Sequence, residues 1–422
     1  MQIAVVPDIH LNKTVYKGVM DRNMPMLPFR NVDFMNAFQY AVDKCVNEIK
    51  PELLVIPGDT YDNFEPSNEV RGFFSNQLSR LTNAKIPVII LIGNHDVCKK
   101  HHGLKDIQEL KLKNVVVVEK PTVTEYRGVQ LFLFPYSLEV EQKKKTIKEE
   151  FTDFVQEIKS KKKDMPSIFF GHFPVRGGLV NQYTEEDTLT DTTTTLAIPV
   201  SIQKEFKNRN LHDISIEDLD RIGADYVLLG DYHKHQVLDT KKCIAMYPGS
   251  LEKTNFSEVD TIKGFVVFDS DADPKGKIMG KCRFVEYPNC RPMIEFRGNL
   301  SKIREEFKKM DPLQYKDCIV KLTFTGTSSE LIDMSTNLES LKKEIRDKVN
   351  PIHIDFVAKT DNTEEEQKAS KLEQEIMERG HLSNDDIIEV VKEMSKERIK
   401  DDKELNLTIG LADEIYKETV GG

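Results

Sequence analysis

The chain carries short polar clusters whose residue types are those of a divalent-metal site. Asp8 and His10 stand two apart in Pro7-Asp8-Ile9-His10, so on an extended strand or the turn after it both can aim at one ion. Asp59, in Pro57-Gly58-Asp59, supplies a carboxylate able to bridge two ions, and Asn94, in Gly93-Asn94-His95-Asp96, offers a neutral carbonyl oxygen. His172, after Gly171, and His233, closing Gly230-Asp231-Tyr232-His233, add imidazole nitrogens. Oxygen and nitrogen donors without thiolate suit manganese, magnesium, iron or zinc, not a soft-metal or iron–sulfur site. Singly, an Asp-x-His or a lone His after Gly is more often a satisfied strand end than a ligand. Five such clusters in order point jointly to a binuclear metal centre.

The elements that must position them are legible as apolar runs. Ile3 to Val6, Leu53 to Ile56, Val88 to Ile92, Ile168 to Phe170 and Tyr226 to Leu229 each lead straight into one cluster. Such runs alternating with helical patterns predict an α/β fold with buried strands, and the strand ends of an open sheet form the crevice where a ligand sits. Between the first two runs, Phe34, Ala37, Phe38, Ala41, Val42, Cys45, Val46 and Ile49 follow helical spacing and predict an amphipathic crossover helix. After Gly264 to Phe268 the turn-rich stretch Asp269 to Gly280 reads as a linker. A smaller α+β unit is expected beyond it, with strands Met293 to Phe296, Cys318 to Phe324 and Ile352 to Val357, and helices Lys302 to Met310 and Leu338 to Lys348. From Asp361 the chain is acidic and helix-forming, with apolar faces (Leu372 and Ile376; Ile387, Ile388, Val391 and Met394) that need a partner surface. The domain reading is therefore 1–270, 281–360 and 361–422.

Bulk composition sets the class. The 422 residues are 39% hydrophobic and 31% charged, enough for a packed core under a wet surface, and no run approaches the ~20 apolar residues of a membrane span. The N-terminus shows no secretory pattern, so a cytoplasmic location is expected (the host cytoplasm for a viral version). Six cysteines without a Cys-x-x-Cys pair argue against a disulfide framework and a zinc knuckle. The net charge of −10 is concentrated in residues 361–422, which hold 18 acidic and 9 basic side chains and leave the remainder almost neutral. Lys99-Lys100 with Lys105, Lys143 to Lys145, and Lys161 to Lys163 could touch phosphates, the alternative being solvated surface.

The clusters resemble the calcineurin-like metallophosphoesterase superfamily: Asp8-x-His10, Gly58-Asp59-x-x-Asp62, Gly93-Asn94-His95-Asp96, Gly171-His172 and Gly230-x-x-His233. The segment from Tyr247-Pro248-Gly249-Ser250 to Glu258 further resembles the SbcD-type nucleases and their eukaryotic recombination-repair counterparts. Together these motifs run from Asp8 to Glu258. The resemblance implies a metallophosphoesterase β-sandwich flanked by helices, a DNA-facing capping domain and a C-terminal helical tail that binds an SbcC-type coiled-coil ABC ATPase. It also implies a homodimer and two divalent ions, Mn2+ first and Mg2+ second. One metal would be held by Asp8, His10, Asp59 and His233, the other by Asp59, Asn94 and His172. His95 would stand beside the scissile phosphate as the catalytic histidine, or orient a ligand from behind. Asp62, counted with it as catalytic, orders the site in the bacterial branch or caps the next turn.

Two departures stand out. The superfamily usually ends on Gly-His-x-His, and Asp231 here takes the place of the first histidine. The competing register uses His233 and His235 but needs two extra residues after Gly230, so Asp231 is favoured as a ligand of the second metal. His101 and His102 follow the third motif, Asn94-His95-Asp96, as loop residues that approach DNA rather than ligands. Phosphomonoesterases of the superfamily follow Gly-Asp-x-x-Asp with an arginine, whereas Asn63 and Phe64 stand here; losing that clamp favours a diester. The resulting expectation is metal-dependent exonuclease, and also endonuclease, action on DNA in repair or recombination, by in-line attack of a metal-activated water. The alternatives are hydrolysis of a small-molecule or cyclic-nucleotide diester and a non-catalytic scaffold. The lysine-rich, tryptophan-free chain suits a bacteriophage or low-GC bacterial source.

Overall fold

Side chains in the first apolar run alternate: Ile3 and Val5 pack into one cluster, Ala4 and Val6 into another, and all four are buried. A period of two with apolar residues on both faces requires a strand covered on both sides. The computed structural model, which describes residues 1–13, 15–16, 19–176, 214–269, 282–326 and 328–360, shows that cover. β1 (Gln2–Val5) pairs in parallel with β2 (Leu53–Pro57), followed by β3 (Val88–Leu91) and β4 (Val115–Val118). On its other side β1 meets β11 (Gly264–Asp269) antiparallel, and β11 meets β12 (Cys282–Glu286), giving a six-stranded sheet ordered β12-β11-β1-β2-β3-β4.

The second six-stranded sheet is ordered β5-β6-β7-β8-β10-β9, from β5 (Thr122–Tyr126), β6 (Val129–Phe134), β7 (Ser167–His172), β8 (Tyr226–Gly230), β9 (Gln236–Leu238) and β10 (Ile244–Tyr247). Its inner strands are parallel, and the edges β5 and β9 are antiparallel. Ile3, Val5, Leu53 and Val55 of the first sheet share one core with Leu131, Ile168, Phe170 and Leu228 of the second, which makes the β-sandwich that the resemblance implies. The five metal-type clusters thus end strands of two sheets, β1, β2 and β3 in one and β7 and β8 in the other. The apolar runs by themselves suggest one open sheet, because runs separated by helical segments read alike in either arrangement.

Helices close the outer faces. α1 (Phe29–Asp43) and α2 (Asn68–Asn83) cover the first sheet with Phe34, Phe38, Ala41, Phe74 and Leu78, all fully buried. The predicted crossover helix starts earlier than its apolar spacing, at Phe29, and its last turn, Lys44–Ile49, widens to a π-helix stopped by Lys50 at φ 50°. α5 (Ile147–Lys161) begins at a capping box of Thr146 and Glu149, and with α6 (Ile216–Ile222) covers the second sheet. There Phe134, Phe151, Phe154, Phe169 and Phe173 stack and edge on one another at 5.5–6.2 Å. Two short helices, α3 (Lys105–Glu109) and α4 (Leu138–Glu141), complete this part.

The chain divides into two compact units. One comprises Met1–Ile294, Asp311–Val320 and Lys348–Ile354; the other comprises Glu295–Met310, Lys321–Asp347 and, among the described residues, 355–360. The second unit holds most of a three-stranded sheet, β13 (Met293–Gly298), β14 (Ile319–Gly326) and β15 (His353–Thr360), with helix α7 (Leu300–Lys309) and most of α8 (Ser328–Val349). Asn299 caps α7 through Lys302 N at 3.0 Å, and Phe296, Ile303, Phe307, Leu322, Leu341 and Ile345 are buried. The helical tail expected over 361–422 lies outside the described residues. Among those residues no helix is long and apolar enough to cross a membrane.

Candidate metal centre

Each chemical residue sits where a strand stops and the backbone turns at once. Asp8, His10, Asp59 and Asp231 have φ of 48°, 46°, 49° and 105°, a region costly for residues with a Cβ and typical of functional sites. Glycines make the approach possible. A Cβ on Gly58, itself at φ 100°, would lie 2.1 Å from His172 Nδ1, and one on Gly93 would lie 2.1 Å from Asp59 Oδ1. The two sheets therefore meet here backbone to side chain, with His172 Nδ1 donating to the Pro57 carbonyl at 2.9 Å.

Two groups of donor atoms share Asp8 and Asp59, and His10 and Asp59 also come within ligand distance of His95. In the first, His10 Nε2 faces His233 Nε2 at 3.0 Å and Asp59 Oδ2 at 3.6 Å, and Asp8 joins both histidines within ligand distance. In the second, His172 Nε2 lies 2.8 Å from Asn94 Oδ1, 3.3 Å from Asp59 Oδ1, and Asp8 and Asp59 complete the cluster. Asp231 lies against the second group: its backbone N–H donates to Asp8 Oδ1 at 3.0 Å, and its carboxyl is raised by burial against the pull of His172. His95 is also brought in, with Nε2 4.0 Å from Asp59 Oδ2 and 44% of its side chain exposed, enough for a substrate to reach it. His235 is turned away, its Nδ1 donating to the Tyr247 carbonyl at 3.2 Å and its ring lying against Phe284. His102 is buried 3.3 Å from Glu119, outside both groups.

A second layer sets the tautomers. His233 Nδ1 donates to Glu258 Oε1 at 2.8 Å, and Glu258 also takes Lys263 Nζ at 2.6 Å and Thr254 N at 2.9 Å, all of them buried. Lys263 and His233 outweigh burial and hold the Glu258 carboxyl well below the usual range. His10 Nδ1 lies 3.4 Å from Asp62 Oδ1, which also receives Lys13 Nζ at 2.7 Å. The Asp62 carbonyl accepts from His95 Nδ1 at 3.0 Å, so Asp62 touches two histidines from behind. Asp96 accepts from Thr60 N, Tyr61 N and Gly93 N at 3.2, 2.8 and 2.9 Å and ties the second and third clusters together. Lys13, Lys263 and the partnership of Glu258 carry no signal in the sequence. Glu258 closes the quoted Tyr247–Glu258 stretch, yet nothing in spacing shows that it meets His233.

The donor geometry fits cations. With His233 Nδ1 donating to Glu258, its Nε2 presents a lone pair 3.0 Å from His10 Nε2, so a cation between the two rings would meet both imidazoles. Two donors at about 2.1 Å from one six-coordinate ion lie about 3.0 Å apart, the spacing seen. Asp8 Oδ2 is buried with no hydrogen-bond partner. Burial pushes the Asp8 carboxyl up to about 7, so a positive neighbour is needed to keep it ionised, and pushes the His10 imidazole down to about 4, which leaves that ring neutral with a lone pair to offer. Burial opposes charge on His172 as well, yet Asp59 lifts it to about 10, and that group of atoms draws positive charge to Nε2. The residues present therefore fit two divalent ions held by oxygen and imidazole donors.

Residues 1–235 match the model of the family described as calcineurin-like phosphoesterase. The SbcD component of the nuclease SbcCD from Staphylococcus epidermidis is 27% identical over 231 residues, covering 52% of this chain and 56% of that protein. The chain thus spans a little over half the length of the curated relative it matches. Among solved structures, phosphopantetheinyl hydrolase from Mycobacterium tuberculosis aligns over 59% of this chain and 90% of its own, with a TM-score of 0.31 and 13% identity.

Proposed function

Because the chain belongs to the calcineurin-like phosphoesterase family, we propose that it is a metal-dependent nuclease that hydrolyses phosphodiesters in DNA. The observation that carries this reading is the pairing of two donor groups through Asp59 with an exposed imidazole, His95, at their rim. Two divalent cations, manganese by preference, would activate a water and polarise the diester when bound. The chain's own groups do the rest. Asp8, His10, Asp59 and His233 hold one cation, and Asp59, Asn94, His172 and Asp231 the other. His95 donates its Nδ1 proton to the Asp62 carbonyl, which leaves Nε2 toward the site. Burial depresses His95, but Asp59 and Asp62 outweigh it and raise the imidazole, so Nε2 can carry the proton the leaving oxygen needs.

The similarity to an SbcCD nuclease component supports DNA as substrate and a coiled-coil ATPase of the SbcC type as partner in end processing, repair or recombination. The apolar helical pattern of 361–422 supplies a docking segment, the capping unit faces DNA, and the protein acts as a cytoplasmic homodimer. Asn63 and Phe64 in place of an arginine favour a singly charged diester over a phosphate dianion. The test is manganese-dependent degradation of linear duplex DNA beside a chromogenic phosphodiester. His95→Ala is expected to lower both rates about 10²- to 10⁴-fold with metal content retained. Turnover of the chromogenic diester with intact DNA would replace the nuclease by a small-molecule phosphodiesterase.

A further inference from the structure

The loop that carries His95 continues into a basic tip. Cys98 N donates to His101 O at 2.9 Å and Gly103 N to Asp96 O at 2.7 Å, which folds the segment back and leaves Lys99, Lys100 and His101 exposed. The tip is docked: Gln142 Nε2 donates to the Lys99 carbonyl at 2.8 Å. That bond brings it against the turn after α4, where Lys143, at φ 55°, and Lys144 are also exposed. Two lysine clusters more than 40 residues apart in sequence thus form one surface. Lys105 and Lys145 are neutralised by Glu109 at 4.0 Å and Asp153 at 2.9 Å. Lys99, Lys100, Lys143 and Lys144 have no carboxylate within ion-pair distance among the described residues. Of the acidic groups on α4, Glu141 accepts from Tyr136 and Glu139 lies toward Lys145.

An aromatic step joins this surface to the metal centre. Phe64 follows Asp62 by two residues, and its ring meets the His101 ring edge-on at 5.7 Å. The contact is built in, because a Cβ on Gly103 would lie 2.8 Å from the Phe64 carbonyl. We infer that the Phe64–His101 ring pair and Lys99, Lys100, Lys143 and Lys144 form a track for a single polynucleotide strand leaving the metal centre. Bases stack on the rings and phosphates meet the lysines. Unpaired lysines beside a ring pair are the combination that holds single strands without reading their sequence, and a duplex, whose bases already stack internally, leaves the rings unused. The inference rests on the nuclease reading for its substrate.

The test is fluorescence anisotropy of the full chain with a labelled single-stranded oligodeoxynucleotide in EDTA, across a salt series. Lys99→Glu with Lys100→Glu is expected to weaken binding at least about tenfold and to flatten the slope of log K against log salt by roughly 1.4, two phosphate contacts' worth. Phe64→Ala is expected to weaken it roughly 5- to 100-fold with the slope unchanged. Lys111→Glu with Lys113→Glu, exposed lysines elsewhere on the same unit, should stay within about twofold of wild type. Wild-type affinity in the first two variants, an equal loss in the lysine control, or no binding by the wild type would overturn the track. Because no divalent ion is present, the readings fail separately. A wild type that binds through these residues yet never cleaves DNA under manganese would keep the track and remove the nuclease.

Discussion

His233 Nδ1 and Glu258 Oε1 are 2.8 Å apart, and both side chains are buried. That bond fixes which ring nitrogen of His233 keeps its lone pair, and Lys263, fully buried 2.6 Å from the other Glu258 oxygen, is held by the same carboxylate. Carboxylate–histidine partnerships of this kind typically change metal affinity 10- to 100-fold.

Glu258→Gln should therefore weaken manganese binding by about 10- to 100-fold, read by calorimetric titration. It should also destabilise the chain by about 3 kcal/mol, because Lys263 loses its buried counter-charge. Glu258→Asp should recover part of the metal affinity. Equal metal affinity in wild type and Glu258→Gln would show that His233 needs no such orientation.

Asp231 and His235 separate cleanly. Asp231→Ala should lower the bound metal by one ion per chain, whereas His235→Ala should leave the count unchanged, since its ring lies against Phe284, outside both donor groups. The reverse result in metal analysis of the purified variants would restore the alternative register.

Asp96 is predicted to be structural rather than chemical. Its carboxylate accepts three backbone N–H groups from two ligand-bearing loops. Asp96→Ala should cost about 3 kcal/mol or more, from donors left buried and unpaired, and Asp96→Asn less. Denaturant unfolding decides it; an Ala variant as stable as wild type would contradict the geometry.

Glu252 gives a pH signature away from the metal centre. Burial, only partly offset by Arg30, pushes its carboxyl up to about 7. A folded-state value above the unfolded one means the folded chain binds the proton more tightly. The resulting stability is full below the ordinary value of 4.5 and is lost as pH rises through about 7. Glu252→Gln lacks a titrating group and should lack that loss, so unfolding free energies of wild type should fall relative to the variant between pH 4.5 and 7. Parallel curves would refute it.

How much was legible follows from these cases. Asp8, His10, Asp59, Asn94 and His172 were readable because each ends an apolar run, and a run that stops at a polar residue locates it at a sheet's edge. Helix α1 was readable from its spacing, although its start at Phe29 was not, since Pro28 and the preceding turn carry no helical period. The division into two sheets was invisible in the runs themselves, because parallel strands separated by helices look alike whichever sheet they join. Strands β4 to β6 are not legible, being short runs with no polar cluster at their ends. Lys13, Lys263 and the Glu258 partnership depend on distances between side chains set by tertiary packing. The docking of Lys99 on Gln142 is of the same kind: both lysine clusters are visible in the sequence, but not that they are one surface.

The central claim is that two cations lie between these particular side chains. Crystals of the full chain grown with manganese, measured at the manganese absorption edge, test it most directly. Two anomalous peaks roughly 3.5–4 Å apart are expected, one contacting His10 and His233, the other His172 and Asn94, with Asp59 between them. No peak, or peaks contacting none of these residues, would contradict the account.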